Sequence, residues 1–231
     1  HMLYADYNIA NDTDSGGTEF KTIGEGLLFT GSIDGKNENS GSAEEGTVSS
    51  LTNVTDAFVY NNAGSISDLV INIQYERTID GEDLVFGAVA IINSIGTIRN
   101  VTVSGTIDIN ALNKNSSVTV SGFVGIAEGG RIETDSKVQN SISGLSITVS
   151  DVLTVYAGGF IGLVEHDMTL TYGIGDGELI IENCDNVNAG TLVGRANAVC
   201  DWSSIAETEE YRYTVFIDGV ESTKLFGYKS V

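Results

Sequence analysis

The chain has 231 residues and a formal net charge of −21, from 32 acidic and 11 basic residues. This excess of negative charge argues against nucleic acid, anionic lipid surfaces and polyanionic glycans as partners, because each of them needs a cationic face on the protein. Hydrophobic residues make up 41% of the chain, yet no apolar run approaches the length of a membrane span. We therefore expect a single all-β domain without membrane insertion and with a substantial core.

The chain opens with segments that do not repeat. His1-Met2 is interpreted as a cloning remnant, and residues 3–23, which are polar with few apolar anchors, as the leading edge of the domain. The run Leu28–Ile33 predicts a short strand, and Asp34-Gly35 predicts a turn. Residues 36–50 are rich in Asn, Ser, Gly and Glu, which is typical of an exposed loop.

From about residue 51 to residue 194, two short phrases recur. The first phrase combines glycines with an aromatic or aliphatic residue, and the second alternates apolar and polar residues. The copies of the first phrase are Phe58-Val59-Tyr60, Phe86-Gly87-Ala88-Val89, Gly122-Phe123-Val124-Gly125, Gly158-Gly159-Phe160-Ile161-Gly162 and a weaker Gly190-Thr191-Leu192-Val193-Gly194. The second phrase begins at Ile66, Ile98, Ile142 and Ile181. Self-similarity at this period is typical of stacked structural units.

The uneven spacing of the copies narrows the kind of repeat. Phenylalanines of successive copies lie 28 or 37 residues apart, whereas propeller blades have a fairly constant length. No segment shows the 3.6-residue periodicity of an amphipathic helix. Coils of a parallel β-helix tolerate variable loops, because each coil only has to place its short strands over those below. The sequence therefore predicts a β-solenoid of about five to six irregular coils.

Stacked coils about 4.8 Å apart would pair their backbone groups and bury the apolar residues in one continuous core. We expect two inward ladders of side chains. The first comprises Phe58, Phe86, Phe123 and Phe160, and the second comprises Ile66, Ile98, Ile142 and Ile181. The residues two positions after the isoleucines, Asp68, Asn100, Gly144 and Asn183, are expected to be structural corners that tolerate a left-handed backbone.

Three segments between the copies, Ala111–Ser117, Glu133–Asn140 and Glu165–Gly177, are expected to bulge outward. The tail differs from the repeats, because Asp218-Gly219 between two apolar runs is a favoured hairpin turn. We therefore assign residues 3–206 to the solenoid domain, and residues 207–231 to a β-hairpin cap packed on its open end. Trp202 is expected to pack under this hairpin, and sugar binding by a cluster of Trp and Tyr is the alternative.

The chain has two cysteines, Cys184 and Cys200. Cys184 lies in the apolar column of a strand phrase, which favours the role of a small buried hydrophobic residue. A disulfide between the two is the alternative, because pairing cannot be decided without geometry.

The quoted phrases resemble the GLUG-type repeat of secreted and surface proteins of bacteria. Gly96-Thr97-Ile98-Arg99-Asn100-Val101-Thr102-Val103-Ser104-Gly105 fits that pattern best, and Gly158–Gly162 fits it as well. Phe29-Thr30-Gly31-Ser32-Ile33-Asp34-Gly35 resembles the entry phrase of such domains. The resemblance covers about residues 20–195 and departs from the family in its long segments between copies and in the missing glycine pair before Phe86. It implies a right-handed parallel β-helix, as in adhesin-like proteins and non-catalytic regions of immunoglobulin A peptidases, and no catalytic residues.

The residues themselves indicate no active site. The motifs of metalloproteases, α/β-hydrolases and P-loop enzymes are absent, and outside the remnant His166 is the only histidine. A polysaccharide lyase or glycoside hydrolase is the enzyme alternative, with Arg99 and Arg131 as the weak indication of a lyase. Asp34, Asp80 and Asp218 each stand in Ile-Asp-Gly, a turn signature, so we assign no metal ligands and no cofactor, although adventitious or structural calcium is compatible with the sequence.

We interpret the chain as a non-catalytic module of a larger extracellular bacterial protein, acting as an adhesin, an interaction surface or a spacer. Its partners would be a host protein or glycan, together with other domains of the same protein. Recognition is expected on the exposed sheet faces and near residues 36–50, 111–117, 133–140 and 165–177. The alternatives are an accessory substrate-docking region of a secreted peptidase and a carbohydrate-active enzyme.

Overall fold

The computed structural model describes residues 2–3, 6–8, 22–35, 49–133, 140–172, 175–204 and 212–230. These residues contain β-strands and no helix. In chain order the strands are β1 (Met2–Leu3), β2 (Asp6–Asn8), β3 (Ile23–Phe29), β4 (Ser32–Asp34), β5 (Ser49–Val54), β6 (Val59–Asn62), β7 (Ser65–Ile79), β8 (Leu84–Gly87), β9 (Ala90–Asn93), β10 (Thr97–Ala111), β11 (Ser117–Ser121), β12 (Val124–Ala127), β13 (Arg131–Glu133), β14 (Ser141–Ser150), β15 (Thr154–Gly158), β16 (Ile161–Val164), β17 (Met168–Tyr172), β18 (Gly175–Glu182), β19 (Asn186–Gly190), β20 (Val193–Ala196), β21 (Cys200–Ser204), β22 (Arg212–Ile217), β23 (Val220–Ser222) and β24 (Phe226–Lys229).

The strands form three sheets of stacked rungs. Sheet A has the order β1-β3-β6-β9-β12-β16-β20-β24, and sheet C the order β8-β11-β15-β19. Sheet B has the main path β2-β4-β7-β10-β14-β18-β22-β23, with β5, β13, β17 and β21 beside it. The chain passes repeatedly from sheet A to sheet B to sheet C and back to sheet A. The predicted β-solenoid is confirmed, with about five coils.

Coils superpose in a continuous parallel register. In sheet A the first residues of successive strands lie one above the other: Val59, Ala90, Val124, Ile161, Val193 and Phe226. All of these pairs are parallel, so every rung except the edge rungs has backbone partners on both sides. The numbering of this column shows that the coils differ in length by several residues, as the spacing of the phrases predicted.

Sheet B bends at residues with a left-handed backbone. β7 and β10 are each 15 residues long, and they turn at Asp68 (φ 58°) and Asn100 (φ 52°). The side-chain amide of Asn100 donates a hydrogen bond to Asp68 on the neighbouring rung. On later rungs the bent strand is divided, into β13 and β14 and into β17 and β18. The predicted corner conformation is confirmed also at Gly144 (φ 61°) and Asn183 (φ 53°).

The predicted phenylalanine ladder is wrong at one member. Phe58, Phe123 and Phe160 lie in one column at the entrance to sheet A, and the ring centres of Phe123 and Phe160 are 4.8 Å apart. Val89, which bonds through its backbone to Phe123, takes the place predicted for Phe86. Phe86 lies in sheet C opposite Val120, and its buried ring stacks on Tyr75 at 3.8 Å.

The predicted isoleucine ladder combines separate columns. Ile66 and Ile98 are neighbours, and the column continues through Ile132 and Leu170 rather than through Ile142. Ile142 pairs with Val103, and Ile181 pairs with Val149 beyond the corner of sheet B. All of these residues are buried, so their place in the core was predicted correctly and their alignment in one column was not.

Two predicted segments differ in detail. The predicted bulge at Glu165–Gly177 contains β17, which pairs with β13 and β21 and is therefore part of sheet B. The predicted hairpin is present, with a left-handed backbone at Asp218 and Gly219. Its first strand, β22, is itself a parallel rung of sheet B, and β23 adds to it in antiparallel fashion. Residues 36–48, 134–139 and 205–211 of the predicted loops and tail lie outside the described residues.

The glycines of the repeated phrase are required by close packing between sheets C and A. A Cβ on Gly162 in β16 would lie 2.7 Å from Thr119 Cγ2 and 2.8 Å from the carbonyl oxygen of Gly125. Gly125, Gly194 and Gly227 occupy equivalent places in β12, β20 and β24, each against backbone of sheet C or a neighbouring rung. In these four coils, sheets C and A can therefore pack this closely because a side chain is missing, whereas β9 has Ile91 beside Gly125.

A buried amide ladder joins the coils at the exit of sheet A. Asn93 is fully buried; its amide nitrogen donates to the carbonyl oxygens of Gly129 (2.9 Å) and Gly96 (3.1 Å). Asn62 Nδ2, also buried, donates to Asn93 Oδ1 at 2.8 Å. Asn93 thus satisfies a backbone carbonyl of the next coil, and Asn62 satisfies the side-chain oxygen of Asn93, so neither buried group is left without a partner.

We expect Asn93→Ala to lower the free energy of unfolding by about 2–3 kcal/mol, because it leaves buried donors and acceptors on two coils unpaired. Asn61→Ala is the matched control. Its half-buried side chain accepts one hydrogen bond from Ser94, so we expect a loss of about 0.5 kcal/mol. Urea unfolding followed by circular dichroism measures both. Equal losses in the two variants would show that the buried ladder does not stabilise the stack.

Candidate functional site

The outward face of sheet B, beyond its corner, carries two columns of mostly polar side chains on five consecutive rungs. Because side chains alternate along a strand, most of the neighbouring positions point inward and form the core. Arg77 beside Glu76 is an exception, since it is exposed and forms an ion pair with Glu82. From β7 to β22, the first column is Gln74, Thr106, Ser146, Glu178 and Thr214, and the second is Glu76, Asp108, Thr148, Ile180 and Phe216.

Two depressions lie along these columns. The first, of about 420 Å³, lies over β7, β10 and β14 and is lined by side chains such as Glu76, Thr106 and Asp108. The second, of about 460 Å³, lies over β14, β18 and β22 and is lined by Gly144, Gly177, Glu178, Thr214 and Phe216 among others. We call the two together the sheet B groove. The hydrogen bond from Ser146 Oγ to Glu178 Oε1, at 3.2 Å, lies where they meet.

The polar groups of the first depression differ from those that flank it. On either side, the side chains are bonded to one another between rungs: Asn72 donates to Ser104 at 3.0 Å, and Ser150 donates to Asn110 at 2.8 Å. Within the described part of the chain, the side chains of Gln74, Thr106, Thr148, Glu76 and Asp108 have no such partner. The groove therefore presents unpaired donors and acceptors between two internally satisfied borders.

Two carboxylates face each other on neighbouring rungs of the groove. Asp108 in β10 lies directly opposite Glu76 in β7, and both side chains are exposed. Parallel rungs are about 4.8 Å apart, and like charges placed directly opposite destabilise a sheet. Hydroxyl groups of a ligand that donate to both carboxylates would relieve this repulsion. Glu178 adds a third carboxylate, and the lining of the two depressions, as far as the structure describes it, contains no Lys or Arg.

Tyr75 forms the inner wall of the first depression, where its ring stacks on Phe86. Burial raises the pKa of the Tyr75 phenol to about 12, although the nearby Arg77 guanidinium opposes the shift. The unfolded chain loses the tyrosine proton near pH 10, whereas the folded chain keeps it. The contribution of this group to stability is therefore present below about pH 10 and is lost as the pH rises toward 12.

We expect Tyr75→Phe to reduce the fall in stability between about pH 10 and pH 12. Urea midpoints at a series of alkaline pH values, compared with those of the wild-type chain, measure the difference in slope. The burial of Tyr75 would be refuted as a source of alkaline sensitivity if the variant lost stability as steeply as the wild type.

The residues considered for catalysis from sequence lie away from the groove. Arg99 and Arg131 are exposed on neighbouring rungs of sheet B before its corner, with Arg99 opposite Glu133. Arg131 forms an ion pair with Glu133 at 3.2 Å. His166 is exposed in the turn between β16 and β17. The fold does not bring these three residues together.

The structure also shows where the aspartates of the Ile-Asp-Gly turns and the two cysteines lie. Asp218 and Gly219 form the hairpin turn, and Asp80 accepts a hydrogen bond from Asn113. In the part of the chain that the structure describes, no three His, Cys, Asp or Glu side chains are grouped to hold a metal ion. Cys184 is half-buried and Cys200 buried, both as free thiols, and burial raises the pKa of Cys200 to about 11.

A second cluster, at the C-terminal end, combines aromatic rings with cations. The guanidinium of Arg195 lies 5.3 Å from the ring centre of Tyr156 and 4.9 Å from that of Tyr228. Trp202, half exposed on β21, lies 6.1 Å from the ring of Phe226 on the last rung of sheet A. These rings already pack against one another or against a cation, so the cluster is explained by packing at the end of the solenoid.

The fold defines the protein as a β-solenoid with exposed polar and charged side chains on its outward faces. No protein-family model, no curated protein and no solved structure matches the chain. Among the described residues, no helix has the length and apolar character needed to cross a membrane. Sequence reasoning missed the sheet B groove. The alternating Gln74, Glu76, Thr106 and Asp108 gave a signal for outward-facing positions, but only the register shows that they are neighbours.

Proposed function

We propose that the protein is a non-catalytic β-solenoid module that acts as an interaction surface, as in an adhesin, within a larger extracellular bacterial protein. One observation carries this proposal. The repeated apolar residues and glycines form the core and its corners, whereas polar side chains without a partner among the described residues remain on the outward face of sheet B. An exposed polar surface on a rigid scaffold is suited to recognition. A spacer function needs only the scaffold.

The resemblance to GLUG-type repeats supports the extracellular setting, and the net charge of −21 supports partners that are not polyanions. In this setting the chain would present its groove to a host protein or glycan, and other domains of the same protein would attach it to the cell or to a secreted enzyme. An accessory substrate-docking region of a secreted peptidase would use the same surface.

A carbohydrate-active enzyme is the second candidate, and the Glu76–Asp108 pair is the observation that favours it. Retaining glycosidases place two carboxyl groups about 5–5.5 Å apart, which is close to the spacing of neighbouring rungs. Both side chains are exposed on an open face, however, whereas the general acid of a glycosidase needs surroundings that raise its pKa. We therefore prefer a binding function.

The test is a binding screen combined with an assay for products. We expect the immobilised protein to capture a component from a panel of extracellular matrix proteins and glycans, without releasing reducing sugars or unsaturated products from polysaccharides. Capture of no component from the panel would leave the chain a spacer and contradict the interaction function. Release of products, lost in Asp108→Asn, would replace the binding function by the enzymatic one.

A further inference from the structure

We propose that the sheet B groove binds an extended, uncharged glycan chain that lies across the rungs, along the axis of the solenoid. This inference rests on the proposed function as an interaction module and names its ligand class. Among the described residues that line the groove, none is basic and three are carboxylates. Uronate, sulfate and phosphate groups would therefore be repelled, whereas neutral sugar hydroxyls would not.

The chemistry of the lining matches vicinal hydroxyl groups. Glu76 and Asp108 can each accept two or more hydrogen bonds. Gln74, Thr106 and Thr148 can each act as a donor and as an acceptor. These groups are unpaired within the described part of the chain, so a ligand breaks no protein hydrogen bond to reach them. On binding, hydroxyl groups of the ligand would donate hydrogen bonds to both Glu76 and Asp108. These bonds would offset the repulsion between the two carboxylates, which the free protein retains.

The repeat of the groove matches the repeat of such a chain. Successive rungs are about 4.8 Å apart, close to the advance of one sugar unit in an extended β-linked polysaccharide. Each sugar would thus meet an equivalent position of the two columns, over the five rungs from β7 to β22. At the far end, the half-buried ring of Phe216 offers an apolar face for stacking against a sugar ring.

The shape of the second depression agrees with this path. Gly144 has no atom within 4 Å of the position of a Cβ, and its backbone is left-handed. On this rung the outward surface is therefore lowered near Glu178 and Phe216, which lets a chain continue from the first depression into the second.

The experiment measures the affinity of neutral and anionic oligosaccharides for the whole chain by isothermal titration calorimetry. The probes are cello-, xylo-, manno- and chito-oligosaccharides of two to six units, compared with oligogalacturonides and heparin fragments. We expect one neutral series to bind, with an affinity that rises with length until about five units fill the five rungs, and no binding of the anionic probes.

Two matched variants then locate the site. We expect Glu76→Ala with Asp108→Ala to weaken binding at least tenfold, because both carboxylates lose their hydrogen bonds to the ligand. Glu25→Ala with Asp201→Ala removes two exposed carboxylates elsewhere and changes the net charge equally, so affinity should stay within twofold. Thermal unfolding of both variants checks that they fold. Phe216→Ala should weaken only the longer oligosaccharides.

The inference is overturned if no neutral oligosaccharide binds, if anionic probes bind instead, or if the groove variant binds like the control. Capture of a host protein that is unaffected by the groove variant would preserve the proposed interaction function and refute the glycan groove. Cleavage of a bound neutral oligosaccharide would preserve the groove and refute the non-catalytic function. Binding of Ca²⁺ alone, lost in the groove variant, would assign the carboxylates to a cation and also overturn the inference.

Discussion

Replacing Gly194 by alanine is expected to lower the free energy of unfolding by about 3 kcal/mol or more, or to prevent folding. The added Cβ would lie 2.6 Å from the carbonyl oxygen of Gly162 and 2.8 Å from the carbonyl carbon of Tyr156, with Ala157 N closer still. These atoms belong to the backbone of neighbouring strands and cannot rotate away, so the corner between sheets C and A must open. Guanidinium unfolding followed by circular dichroism measures the loss.

Gly144 supplies the matched control, because its Cβ position is empty while its φ is +61°. Gly144→Ala should cost about 1 kcal/mol for the left-handed backbone alone. Gly144→Asn should cost less, since Asn100 already holds a corner in this conformation. If Gly194→Ala were no more destabilising than Gly144→Ala, close packing would not be the reason for glycine in the repeated phrase.

Removing the ring of Phe123 is expected to have the second large effect. Phe123→Ala should destabilise the protein by about 3–5 kcal/mol, because the side chain is fully buried between coils and its loss leaves a cavity. Phe226→Ala, at the half-buried edge rung, is the control and should cost about half as much or less. Urea unfolding of the purified variants provides both values.

A double-mutant cycle tests the ladder itself. With Phe→Leu substitutions, which keep the core filled, Phe123 and Phe160 should show a coupling energy of about 0.5–1.5 kcal/mol. Phe86 and Phe123, which are neighbours in the ladder predicted from sequence, should show a smaller coupling energy, because Phe86 lies in sheet C and stacks on Tyr75. Coupling of Phe86 to Phe123 as strong as that of Phe123 to Phe160 would restore the single ladder predicted from sequence and contradict the observed stack.

The stacked architecture could be predicted because the repeated phrases place apolar residues and turn residues at coil-like intervals. The register could not, and Phe86-Gly87-Ala88-Val89 shows why. Gly87 and Gly158 occupy equivalent positions at the ends of their sheet C strands, each aligned with Ser121. The inward residue follows two positions later, as Phe160 in one coil and Val89 in the other. Alignment by similar side chains therefore matched Phe86 with Phe160, which is wrong. Alignment by the corner glycine matches Val89 with Phe160, as in the structure.

The two corners that flank the long strands of sheet B explain the second error. Ile98-Arg99-Asn100 and Ile181-Glu182-Asn183 share a local pattern, a buried isoleucine followed two positions later by a left-handed residue. The first lies at the bend within the sheet, and the second lies at the exit of the strand, where Asn183 donates to Asp151 and its backbone N–H donates to Asp218. Both corners impose the same backbone requirement, so the local sequence cannot distinguish them.

The candidate site was harder to predict than the core for a related reason. Alternation along each strand identifies Glu76 and Asp108 as outward-facing, but their proximity depends on which rungs are neighbours. The exposed sheet faces, one of the two locations expected for recognition, include the groove, which is made by the strands themselves.

The most direct test of the account is a pair of engineered cysteine cross-links, with Cys184 and Cys200 replaced by serine. Thr106→Cys with Ser146→Cys places thiols on residues that the observed register sets opposite each other across the groove. Arg99→Cys with Ser143→Cys does the same for the alignment of Ile98 with Ile142. We predict rapid disulfide formation in the first pair and none in the second under mild oxidation, measured by mass spectrometry of the digested protein. Cross-linking of the second pair but not of the first would contradict the register, and with it the groove.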